Sequence, residues 1–206
     1  MAVIQGEIGR QSYELVGDRI AEILADELPE QFALSTAAPE LKSVLAAQVF
    51  TERVVPFDKT EVPCVNVQLA SGDYSGQTVK QSDGTYTFFI DCYASAKNTE
   101  DAKGDQYALI KLKKLMGVIR AILQDTRYKT LGFTAPFVMS RQVTGIAISN
   151  NAQQDATHTV MGRITLVVKV PETVELIEPE LIAGYQTTVK LFETELGYLW
   201  DKPEYY

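Results

Sequence analysis

The sequence predicts an α+β fold: an antiparallel β-sheet packed on one face by two amphipathic helices, with a C-terminal extension. Three observations predict it. Thr85–Ala94 and Thr159–Val170 alternate apolar and polar residues at period two, the mark of strands with one buried face. Two other stretches, Gln11–Leu28 and Glu100–Leu123, repeat apolar residues every three or four positions. The order helix, strands, helix, hairpin pairs sequential strands and leaves the helices to cover a single face.

In the first helix, Tyr13, Val16, Ile20, Ile23, Leu24 and Leu28 form the apolar stripe, and Glu14, Asp18, Arg19, Glu22 and Asp26 fill the other side. Pro29, which lacks an N–H, is expected to stop it. Leu41, Val44 and Leu45 suit a short helix, and Val49–Val55 a strand, before a turn bracketed by Pro56 and Pro63. Cys64–Leu69 places Val65, Val67 and Leu69 on one face, and a polar loop, Ser71–Gly76, follows. The segment around Val79 is expected to pair with the next strand through an Asp83-Gly84 turn. In Thr85–Ala94, Tyr86, Phe88, Ile90, Cys92 and Ala94 share the apolar face, with Thr85, Thr87, Asp91 and Tyr93 opposite. Cys64 then points away from the core and Cys92 into it, which disfavours a bond between them.

The second helix carries Ala108, Leu109, Leu112, Leu115, Met116, Ile119, Ile122 and Leu123 as a continuous stripe. Asn98 and Asp101 suit its start, and Lys111, Lys113, Lys114 and Arg120 lie toward its negative end. Gln142–Ser149 and Thr159–Val170 form a hairpin with a long polar tip, Asn150–Asp155. Pro171 is expected to end the strand and the core, so that residues 1–170 are the domain and 171–206 an acidic, aromatic extension containing a strand over Tyr185–Phe192.

Composition narrows the function classes. At 206 residues, 46% hydrophobic and 22% charged, the chain can bury a full core without disulfides or metals. No run approaches the roughly 20 apolar residues of a membrane span, and the N-terminus has neither the basic start nor the apolar stretch of a signal peptide. Net charge is −8, which disfavours nucleic acid and anionic membranes as partners. Lys and Arg against Asp and Glu number 5 to 11 over residues 1–62, 12 to 8 over 63–170, and 2 to 8 over 171–206. Acidic ends around a basic middle suit contacts between copies; they equally suit plain solubility.

No catalytic, cofactor or metal site is predicted. His158 is the only histidine, and nothing local pairs it with Cys64 or Cys92 as base and nucleophile. Glu22 with Asp26, and Asp101 with Asp105, have a spacing that solvated helix faces show routinely. The glycines at 72, 76, 84 and 104 make no phosphate loop.

Two phrases and the element order carry a family resemblance. Val49-Phe50-Thr51-Glu52-Arg53-Val54-Val55-Pro56, followed by Glu61-Val62-Pro63-Cys64-Val65-Asn66-Val67, resembles the early part of the tail terminator (neck) proteins of tailed bacteriophages. The strand ending Ile90-Asp91-Cys92-Tyr93-Ala94, the helix with Leu109, Leu112, Met116, Ile119 and Leu123, and the hairpin from Gly145-Ile146-Ala147-Ile148 to Ile164–Val168 agree in kind over roughly residues 10–170. The resemblance implies a virion protein, made in the bacterial host cytoplasm, that assembles into a six-membered ring. Such a ring ends the tail tube and faces the head connector, with no cofactor and no catalysis. The extension after Pro171 departs from the simplest members. A head-completion or adaptor protein of the neck is one alternative; a small-molecule-binding or enzymatic α+β domain is another.

Candidate contacts to a neighbouring subunit or virion partner are the polar tip, with Asn150, Asn151, Gln153 and Gln154, and the extension. In the extension they are Tyr185, Leu191, Phe192, Leu196, Tyr198, Leu199 and Trp200. Exposed aromatic clusters are unfavourable, so the extension is expected to pack on its own domain or on a neighbour.

Overall fold

The computed structural model describes residues 9–54, 61–76, 81–98, 103–134, 137–149, 158–173, 186–190 and 197–201. The chain forms two compact units, Met1–Glu172 and Thr173–Tyr206. The first is the α+β fold that the periodicities predict.

Helix α1 spans Ser12–Leu34 and buries Val16, Ile20, Ile23, Leu24 and Leu28. The Glu14 carboxylate accepts the Gln11 backbone N–H at 2.7 Å, so an acidic side chain satisfies a donor at the positive end of the helix. Pro29 does not stop α1; it sits inside it. The proline lies on the exposed side, as does Ala25, whose carbonyl an N–H at position 29 would have met, and a further turn closes with Ser35 N–H donating to Gln31 at 3.0 Å. A short α2, Pro39–Lys42, leads into one 3₁₀ turn, Ser43–Ala46, which buries Val44 and Leu45.

Five strands build the sheet of this unit: β1 (Gln48–Thr51), β2 (Cys64–Ser75), β3 (Gln81–Ala96), β4 (Ser140–Ser149) and β5 (His158–Thr173), in the spatial order β1-β2-β3-β5-β4. The sheet is mixed and not wholly antiparallel, because β1 runs parallel to β2, with Gln48 opposite Cys64 and Thr51 opposite Val67. A parallel pair needs a crossover of about a dozen residues, which the stretch between Thr51 and Cys64 supplies. The expected strand to Val55 ends early: Glu52 takes a φ of 49°, and its carboxylate accepts the Leu69 N–H at 2.8 Å.

The β2–β3 hairpin is longer than periodicity suggests. Tyr74 lies opposite Gly84 and Ser75 opposite Asp83, so Asp83-Gly84 belongs to the strand and is not the turn; residues around Val79 lie outside those described. Likewise β5 continues through Pro171. Its neighbour β4 begins at Ser140, opposite Lys169, so Pro171 falls where no ladder partner on that side needs an N–H.

Helix α3, Gly104–Gln124, buries Ala108, Leu112, Leu115, Met116, Ile119, Ile122 and Leu123. The Asn98 side chain accepts the Gly104 N–H at 2.7 Å at its start; Asp101 lies outside the described residues. Both long helices lie on the face that carries Phe88, Ile90, Cys92, Ile164 and Leu166. A Cβ on Gly17 of α1 would sit 3.2 Å from Phe88, and one on Gly162 of β5 would meet Met116 and Leu112 of α3. Among the described residues no helix is long and apolar enough to cross a membrane.

Where β2 and β3 run on beyond the helices, an aromatic device closes the core. The Tyr86 ring lies over two glycines: a Cβ on Gly72 would be 3.0 Å from the ring, and one on Gly84 2.7 Å from the hydroxyl. Tyr13 from α1 and Tyr74 meet that ring edge-on, with centroids at 5.8 and 6.0 Å, and the hydroxyl donates to Glu172. An aromatic ring thus replaces the side chains those glycines lack. We expect Gly84→Ala to push the ring off this seat and cost about 1–3 kcal/mol. Thermal unfolding would show it as a loss of several degrees; an unchanged melting temperature would mean that the ring is not held there.

In the second unit, β6 (Gln186–Lys190) pairs antiparallel with β7 (Gly197–Asp201), Gln186 opposite Asp201 and Lys190 opposite Gly197.

Candidate functional site

The alternation that turns Phe88, Ile90 and Cys92 toward the helices turns Phe89, Asp91 and Tyr93 the other way. The register adds Gln68 opposite Phe89 and Asn66 opposite Asp91, and Ala147 of β4 lies opposite Arg163 of β5. These residues form the sheet face that the helices leave uncovered. An antiparallel arrangement allows such a face to meet water, yet the centre of this one is tightly bonded.

Asp91 is 3% exposed. Arg163 grips it with two parallel hydrogen bonds, Nε to Oδ1 at 2.7 Å and Nη2 to Oδ2 at 2.8 Å. Gln68 adds a longer one at 3.3 Å, and the guanidinium rests on the Phe89 ring, 4.0 Å from its centroid. The Asp91 hydrogen bond raises the Arg163 pKa further, and burial raises that of Tyr93. Toward the β1 side, the Asn66 side chain makes two hydrogen bonds to the Arg53 backbone, accepting at 3.1 Å and donating at 2.9 Å, and Arg53 pairs with Glu61 at 2.8 and 2.9 Å. Toward the other end, Lys169 pairs with Asp83 at 3.1 Å. The ion pairs described on this face, Asp91 with Arg163, Arg53 with Glu61 and Lys169 with Asp83, balance one another in charge.

Burial pushes the Cys64 thiol up to about 12 and raises that of Cys92 as well, so both are protonated at neutral pH. Cys64 and Cys92 are free and both are buried. The expectation that Cys64 leaves the core holds for its direction alone: it shares the uncovered face with Tyr93, its partner in register, and is still fully covered. His158 stands at the start of β5, beside the beginning of α3, where a Cβ on Gly104 would come within 2.6 Å of its ring. Among the described residues no group of three His, Cys, Asp or Glu side chains could hold a metal ion. An open cleft of about 560 Å³ lies between the end of α3 and the start of β4, lined by Gln124, Thr126, Lys129, Met139, Arg141 and Val143 among others.

Of the contact residues read from sequence, Tyr198, Leu199 and Trp200 lie in β7 of the second unit. Asn150, Asn151, Gln153, Gln154, Tyr185, Leu191, Phe192 and Leu196 lie outside the described residues. The Asp91–Arg163 pair was not singled out from sequence. Its signal is an acidic residue on the polar face of one strand and a basic residue on the polar face of another, since Asp is disfavoured in strands without a partner.

No protein-family model matches the chain, and no curated protein matches it in sequence.

The exposures of the pair predict an asymmetry. The Arg163 side chain is 34% exposed and that of Asp91 4%, so losing the arginine strands a buried carboxylate, whereas losing the aspartate leaves a guanidinium that can turn to water. Arg163→Ala is expected to cost about 3 kcal/mol, more than Asp91→Ala, and the double variant less than the sum. Urea unfolding of the three variants checks it; equal and additive losses would contradict the pairing.

Proposed function

We propose that the chain is a structural virion protein of a tailed bacteriophage, forming a six-membered ring at the neck that ends the tail tube and joins it to the head connector. The observation that carries this reading is that the segments bearing the family resemblance coincide with the elements of one fold: β1, the strand after Pro63, β3 with Asp91 at its centre, α3 and the β4–β5 hairpin. Two features are in keeping with it. The uncovered sheet face holds an ordered polar surface at little further entropic cost, as an assembly contact requires. The uneven charge along the chain, acidic ends around a basic middle, is an asymmetry that a head-to-tail ring can use.

Its partners on this reading are other copies of itself, the tail tube and the head connector. It works in the virion after synthesis in the host cytoplasm, without catalysis or cofactor. Negative-stain imaging of the purified chain, with light scattering for mass, tests the proposal. Six-fold rings at six times the 22.8 kDa chain mass are expected; a particle that stays monomeric at every concentration would contradict it.

A further inference from the structure

The two edges of the five-stranded sheet are protected very differently. β1 is four residues long and ends at Glu52 with a positive φ, the short and bent kind of edge that resists pairing. β4 is ten residues long, Ser140–Ser149, and its only charged residue is Arg141. That charge is not displayed along the edge, because the guanidinium folds back to donate to the backbone carbonyls of Asp125 and Tyr128. Among the described residues no strand pairs with the outer side of β4. Ile146, 51% exposed, and Met139, 54% exposed, stand at this border. A long, uncharged edge with apolar residues beside it is a template for another strand.

The surroundings say what kind of strand. Among the described residues, the lining of the cleft beside the first half of β4 includes Lys129 and no Asp or Glu; Arg141 also lines it, with its guanidinium turned to backbone carbonyls. Residues 173–206 carry seven Asp or Glu against two Lys, and the stretch 186–201 that holds the hairpin three against one. They hold β6 and β7, a two-stranded ladder of five residues each, which is marginal in water unless it joins a larger sheet. We infer that the open edge of β4 receives the acidic β6–β7 hairpin of a second copy of this chain, extending the five-stranded sheet from one subunit to the next. This deepens the ring reading and rests on it: tail to edge is a contact between unlike surfaces, so it propagates from copy to copy.

Full-length variants test the inference by light scattering. Ile146→Glu puts a negative charge at the edge, and Ala147→Glu does so from the other face of the same strand. Val189→Pro with Leu199→Pro removes two N–H groups from the hairpin. Circular dichroism first checks that each variant keeps its fold, and two independent edge variants guard against one failing. Each type alone is expected to fall from the assembled mass to that of one chain. Mixing an edge variant, whose hairpin is intact, with the proline variant, whose edge is intact, should restore a one-to-one dimer. If the wild type forms rings and the edge variants keep the full assembled mass, the edge contact is wrong and the ring reading stands. If the edge variants dissociate but the proline variant does not, the occupant is another part of the chain and the inference is overturned. A wild type that is monomeric throughout overturns both.

Discussion

Everything in the first unit depends on the two-sided demand placed on β3. It lies in the middle of the sheet, between β2 and β5, and successive side chains must serve opposite environments. Tyr86, Phe88, Ile90, Cys92 and Ala94 are all buried on the helix side and fix where α1 and α3 can lie. A slip of one residue would drive Asp91 under the helices and expose the phenylalanine that Gly17 approaches. Register is therefore specified from both faces at once.

The polar face is held by the same logic in reverse. Asp91 could not remain in a strand this well covered without a partner, and Arg163 from the adjacent strand supplies one in forked geometry. The pair ties β3 to β5 across the centre, Lys169 with Asp83 ties them again farther along, and Arg53 with Glu61 pins the crossover between β1 and β2. Three ion pairs on a face without helices act as cross-links in place of an apolar layer. Their net contribution to stability is modest where they meet water, but the first two fix β3 against β5 and the third fixes the two ends of the crossover.

Much of the fold was legible because its signals are local and periodic. The apolar stripes of α1 and α3 and the alternation of β3 and β5 follow from residue spacing alone. What was misread depends on neighbours. Pro29 and Pro171 look like terminators in sequence; Pro29 sits on an exposed helix side, and Pro171 lies past the end of the β4 ladder, where no partner on that flank needs its N–H. The Asp83-Gly84 turn signal is overridden by cross-strand register, which carries the pair into the ladder so that Gly84 can seat the Tyr86 ring. The parallel β1 escaped because four residues carry too little pattern to reveal direction. The Asp91–Arg163 contact joins residues 72 positions apart, so local spacing could only place each charge on its face.

In the first unit one face of the sheet is covered by helices and the other is stitched by ion pairs, and β3 serves both. That description stands or falls on β3 as the hub of a single cooperative core. Native-state hydrogen exchange on the full chain tests it most directly. The account predicts that β3 amides, together with those of α3 from Leu112 to Leu123, exchange only through global unfolding and are the slowest in the molecule. β3 amides exchanging as fast as those of the β4 edge would contradict it.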